Sequence, residues 1–123
     1  METEESIDES IELAAREIIT DEEQRRMEDR EREVTACLQS IVSRNPRFRS
    51  KAAERLGELR AGGDALVLAL RDPNEFVRAA AAQSLGSALE TATPEAVDGL
   101  LSCLDDKNDF VCSAAIRTLG RLR

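Results

Sequence analysis

The chain has no His, no Trp and no Tyr in 123 residues. Without His, Ser-His and Cys-His nucleophile pairs cannot be built, nor can His-ligated zinc or iron sites. Three Phe are too few for the aromatic platform that stacks single-stranded bases. No apolar run approaches the roughly 20 residues of a membrane span, and the N-terminus is acidic where a signal peptide is basic. The three cysteines, Cys37, Cys103 and Cys112, form neither a Cys-x-x-Cys pair nor an even disulfide framework. They read as reduced thiols of a cytoplasmic protein, used as small core residues. No metal site and no cofactor is expected, and no catalytic residue stands out.

What is present is enough for one core. Hydrophobic residues make up 41% and charged residues 34%, a balance that supports a folded domain with a charged surface. The net charge of −8 is not spread evenly. Residues 1–33 hold 14 Asp/Glu against 5 Arg, while residues 34–123 hold 11 against 12 Lys/Arg. Next to the acidic segment, residues 44–60 carry Arg44, Arg47, Arg49, Lys51, Arg55 and Arg60 against Glu54 and Glu58. An acidic segment beside a basic helix can fold onto it, repel nucleic acid or act as an interaction arm, although a solvated charged face is the simplest reading.

Helical signals run through the chain. Ser6-Ile7-Asp8-Glu9 has capping-box spacing and opens a helix with Ile7, Ile11, Ala14 or Ala15 and Ile18 on one face. Thr20-Asp21-Glu22-Glu23 is a second box, with three acids where the helix dipole favours them, and predicts a helix to about Ser43. Asn45-Pro46 stops it. Phe48, Ala52, Leu56 and Leu59 mark the next helix, which Gly62-Gly63 ends. Asp64 is placed to cap a short helix through Leu70, Asn74 the one after it, and Thr93-Pro94 a helix through Leu104. No segment alternates with the two-residue period of a strand, so the chain reads as all-α.

An internal repeat organises these helices. Asp72, Asn74, Phe76, Val77, Ala81, Leu85 and Gly86 recur 34 residues later as Asp106, Asn108, Phe110, Val111, Ala115, Leu119 and Gly120. A weaker copy lies 29 residues earlier, with Asn45, Ala52, Leu56 and Gly57 in register and Phe48 at the Val77 position. The unit is a helix, an Asp-x-Asn turn, a second helix and a glycine near its end. Asp and Asn side chains can bond free amides of the turn and of the next helix start. Val and Leu, eight apart, share a core face. The glycine permits close helix approach or helps end the helix.

This pattern resembles the HEAT-repeat superfamily, in particular the short HEAT-like repeats of the phycobilisome-lyase type. That turn and second helix read roughly Asp-x-Asn/Asp-x-x-Val-Arg-x-x-Ala-x-x-x-Leu-Gly. Asp72, Asn74, Val77, Arg78, Ala81, Leu85 and Gly86 match it throughout, and the last unit matches except for Cys112 in place of Arg. The resemblance covers residues 34–123. It implies a right-handed α-solenoid of about three helical hairpins (residues 34–62, 63–92 and 93–123) with residues 1–33 as an acidic N-terminal helical cap. It also implies a ladder of Asp72, Arg78 and Asp106, with Arg49 as a partial member and Cys112 ending it. The last hairpin has no polar cover, so the chain is expected to be a fragment of a longer array or to pair that face with something, self-association included.

Function follows from the resemblance in outline only. The leading expectation is a non-catalytic scaffold whose second helices line a concave surface that binds another protein. Its exposed positions would be Arg47, Lys51 and Arg55, then Glu75, Arg78 and Ala82, then Asp109, Ser113 and Arg117. Each taken singly is most simply a solvated residue. As a set they suit an acidic partner, or the protein's own acidic N-terminus laid on the basic stretch. A bilin lyase-like chromophore-handling role is the alternative the resemblance suggests, and the absence of His and Tyr weighs against it. Phosphate contact by residues 44–60 comes third, opposed by the neighbouring acids and a pI near 4.7.

Overall fold

A computed structural model describes residues 9–14, 20–89 and 92–122. The Ser6 capping box, Ile7, Ala15, Ile18, the boundary near residues 90–92 and Arg123 therefore lie wholly or partly outside the described residues. Among those described there are helices and turns and no strand. Residues 9–14 form α1, followed by α2 (Asp21–Ser40), α3 (Pro46–Leu59), α4 (Gly63–Ala69), α5 (Glu75–Ala88), α6 (Pro94–Cys103) and α7 (Asp109–Arg121). The chain divides into two compact units, Met1–Arg32 and Glu33–Arg123, with the division inside α2.

In the first unit, α1 is exposed on every described side chain, Ile11 included. Thr20 Oγ1 accepts a hydrogen bond from the Glu23 amide at 3.2 Å, the bond expected of the second capping box. Asp21, Glu22 and Glu23 fill the first turn of α2. Met27 is exposed.

The second unit is an all-α, HEAT-like solenoid of three hairpins. α4 pairs with α5 and α6 with α7, while α3 packs on α5 and α5 on α7; the end of α2 meets α3 through the Glu33–Arg55 ion pair. Its core runs through the stack as Leu56, Leu66, Val77, Leu85, Leu100 and Val111, all fully buried, with alanines between them. Ala52 and Ala53 on α3, Ala80 to Ala82 on α5 and Ala114 and Ala115 on α7 keep the second helices close. Leu119 is half-buried against this core.

The turns explain why the pattern repeats. Asp72 Oδ1 accepts from the Asn74 amide at 2.9 Å, and Asn74 Oδ1 accepts from the amides of Phe76 and Val77 at 2.8 and 3.3 Å. Asp106 and Asn108 repeat the arrangement, with 2.9 Å to the Asn108 amide and 2.9 and 3.3 Å to Phe110 and Val111. Asn45 caps α3 through the Arg47 amide, and Thr93 caps α6 through the Ala96 amide.

Three local expectations need correction. α2 ends at Ser40, not Ser43, because a turn closed by the Ser43 amide on the Ser40 carbonyl precedes Pro46. The left-handed residue that ends α3 is Arg60 at φ 53°, ahead of the two glycines. Gly62, at φ 71°, is the N-cap of α4, so Asp64 sits inside the first turn and does not cap it.

Candidate functional site

Two guanidinium–carboxylate pairs stitch hairpin to hairpin. Arg49 Nε and Nη2 donate to Asp72 at 2.8 and 3.0 Å, while its Nη1 donates to the Ser43 and Arg44 carbonyls. Arg78 repeats this on Asp106 at 2.7 and 3.0 Å, with Nη1 on the Asp72 and Pro73 carbonyls. Arg49 is thus a complete member of the ladder. The Arg78 hydrogen bond holds the Asp106 carboxyl below the usual carboxylate range. At the third place the Cys112 thiol donates to the Asp106 carbonyl at 3.1 Å, the counterpart of Arg78's bond to the Asp72 carbonyl, and Cys brings no guanidinium for a carboxylate.

This geometry removes residues from the expected binding set. Arg78 is half-buried and spent on the ladder. Arg55 is held by Glu33 and Glu58, each at 2.6 Å. Ala82 is fully buried, because this face of α5 packs against α7. Glu75 and Asp109 stand at the first positions of α5 and α7, outside the groove described next. Ser113 is exposed on α7 and also outside it.

Across α3, α5 and α7 runs a continuous groove. One part, of about 280 Å³, is lined by Ser50 and Glu54 of α3, Phe76, Ala79, Ala80 and Gln83 of α5, and Phe110, Ala114 and Arg117 of α7. It opens past Glu54 and Phe76 into a wider part of about 550 Å³ against Arg47 and Lys51. Past Glu54 and Gln83 it reaches Glu58, Ser87 and Arg121.

The two repeat offsets turn this lining into rows. Arg47, Phe76 and Phe110 occupy one row, Lys51, Ala80 and Ala114 a second, and Glu54, Gln83 and Arg117 a third. The first row is apolar on two of three helices: Phe76 is 66% and Phe110 75% exposed. Adjacent second helices pack about 8–10 Å apart, so the two rings flank a slot about one side chain wide over an alanine floor. Arg47, Lys51 and Arg117 have no ion-pair partner among the described residues.

Of the expected site residues the structure brings Arg47, Lys51 and Arg117 to one groove. Phe76 and Phe110, counted in the sequence only as repeat positions, are its most exposed apolar members. The signal was there in part: each Phe directly precedes a buried Val, and a neighbouring helix position lies 100° round, at the edge of the core-facing stripe, where a large ring is easily left in solvent.

No three His, Cys, Asp or Glu side chains cluster as metal ligands among the described residues. Burial pushes the Cys37 and Cys103 thiols above their ordinary value, with Glu33 and Asp106 adding to it. No described helix is long and apolar enough to cross a membrane.

Stacked hairpins joined by an Arg–Asp ladder define an α-solenoid of the repeat class. Residues 63–123, about half of the chain, match the family model for HEAT repeats, and the chain belongs to the HEAT-repeat superfamily. A search of curated proteins finds no match.

Proposed function

We propose that the protein is a non-catalytic scaffold that holds a segment of another protein in the groove across α3, α5 and α7, the concave face of the array. HEAT repeats commonly mediate protein–protein interaction, which gives the class. The observation that carries the reading is the pair Phe76 and Phe110, exposed at equivalent places over a floor of Ala80 and Ala114. Large side chains left in water in register on neighbouring helices mark a contact surface better than scattered ones do. The segment is helical or extended. It presents an apolar side chain to the Phe76–Phe110 slot and acidic side chains to Arg47, Lys51 and Arg117.

Peptide phage display against the chain tests this. Selected peptides should share an apolar anchor flanked by Asp or Glu. Replacing both rings by Ala should weaken them about 100-fold, since two anchors at about 1.4 kcal/mol each multiply. Arg47→Glu with Lys51→Glu should weaken them further and flatten the salt dependence. Peptides that bind the Phe76→Ala/Phe110→Ala chain as well as the wild type would remove the reading.

The phosphate-binding alternative loses ground on the geometry. Arg49 and Arg55, two of the six cations in residues 44–60, already hold carboxylates. No observation favours the bilin lyase-like reading.

A further inference from the structure

Each hairpin presents three features to the one stacked after it. Arg49 and Arg78 offer guanidinium groups to Asp72 and Asp106. Gly57 lies against Ser84, and Gly86 against Thr118. Ala82 is fully buried where Thr118 Oγ1 donates to its carbonyl at 2.6 Å. Thirty-four residues on, the same positions fall on the open edge of the α6–α7 hairpin. Arg78 becomes Cys112, Ala82 becomes Ile116 and Gly86 becomes Gly120, and Leu70, which lies against Gly99 of α6, becomes Leu104.

There Ile116 is 61% and Leu104 39% exposed, where Ala82 and Leu70 are buried. A side chain at Gly120 would meet nothing within 4 Å. Thr118 points into α5, so positions 116 and 120, each two residues away and about 200° round the helix, face out on the opposite side.

We infer that this edge is a self-association surface on which two copies pair about a two-fold axis, α7 antiparallel to α7, with Ile116 of each copy seated over Gly120 of the other. The pairing is self-complementary by construction: Ile116 and Gly120 are symmetric about position 118, so an antiparallel crossing there sets each knob opposite the other copy's notch. The same edge does not suit a further hairpin of the repeat pattern. Cys112 has no guanidinium to give the next turn's Asp, and Ile116 stands where the close stack uses Ala. A second copy needs neither, because its own edge is apolar and carries the matching glycine.

The edge is modest in size. α7 has 13 residues and is therefore about 20 Å long, and two helices abreast are about 20 Å wide, so each copy buries roughly 400 Å² and the pair about 800 Å², below the usual range of stable interfaces. A weak dimer is expected, with a dissociation constant on the order of 10–100 µM.

Sedimentation of the 123-residue chain tests it between about 1 and about 200 µM. The mass should rise from that of one chain toward that of two and no further. Gly120→Gln and Ile116→Glu should each remain monomeric over the same range, with unchanged helical circular dichroism. A wild-type chain that stays monomeric throughout would leave the edge to another protein and overturn the inference. So would a dimer that survives both substitutions, or growth beyond two chains, which signals a head-to-tail contact.

Discussion

Gly57 and Gly86 occupy the same place in successive hairpins, yet their replacement by Ala should act in opposite directions. A methyl group at Gly57 would lie 2.7 Å from both Cβ and Oγ of Ser84 and 3.0 Å from its Cα. The side-chain carbon and backbone of a packed helix cannot swing aside, so α3 and α5 must part along the contact that carries Ala53, Leu56, Ala81 and Leu85. Overpacking of this kind costs about 1–3 kcal/mol, and backbone involvement places it at the upper end. Relief of glycine's helix penalty returns about 1 kcal/mol. The net loss is about 2 kcal/mol, or a fall of about 8–16 °C in Tm for a domain of this size. At Gly86 the same methyl meets Arg121 and Thr118 at 3.6 Å, an ordinary contact. Gly86→Ala should therefore gain about 0.5–1 kcal/mol. Urea unfolding followed by circular dichroism reads both. The double variant Gly57→Ala/Ser84→Gly should recover much of the loss, with a favourable coupling above about 1 kcal/mol. A Gly57→Ala chain as stable as the wild type would refute the close approach of α3 and α5.

Asp106, whose carboxyl the Arg78 bond holds below its ordinary value, stabilises the fold above the unfolded carboxylate pKa of about 3.9 and loses that contribution as pH falls through the lower folded value. The stability gap between wild type and Asp106→Asn, measured by urea unfolding, should accordingly be widest near neutral pH and narrow below about pH 4; a gap independent of pH would remove this account. Asn108→Ala removes the acceptor for the Phe110 and Val111 amides and should cost about 1 kcal/mol, while leaving the Arg78–Asp106 pair in place.

The sequence carried the fold well because the turn residues act locally. Asn74 and Asn108 cap the helices they directly precede, and Asp72 and Asp106 bond the amide two residues on, so the spacing alone points to the geometry. Glycine was less legible for the opposite reason. The repeat left close approach and helix termination both open, because clearance at a glycine is set by the helix opposite. Ser84 crowds Gly57, Thr118 stands off from Gly86, and nothing meets Gly120. The proposed binding face was legible in part. Arg47, Lys51 and Arg117 reach the groove, whereas Arg78 and Ala82 do not, because second-helix residues two apart lie about 200° round the helix: Phe76 and Ala80 face the groove, and Arg78 and Ala82 the next hairpin. Arg60 could not have been foreseen, since a non-glycine residue at φ 53° has no sequence signature.

The groove is also directional. In the row through Glu54, Gln83 and Arg117 the charge passes from negative to neutral to positive, and Glu58, Ser87 and Arg121 repeat the sequence one turn on. The first row runs the other way, from Arg47 to the two phenylalanines. A segment laid across the helices near the third row is favoured with its basic end over α3 and its acidic end over α7, and the reverse orientation sets like charges together. The ladder occupies another face of the same helices, whereas Ala80 and Ala114 serve both the stack and the groove floor. Changes at the exposed positions of the first and third rows should therefore alter the proposed binding with little effect on stability, whereas changes at Arg49, Arg78 or Gly57 act on the stack itself.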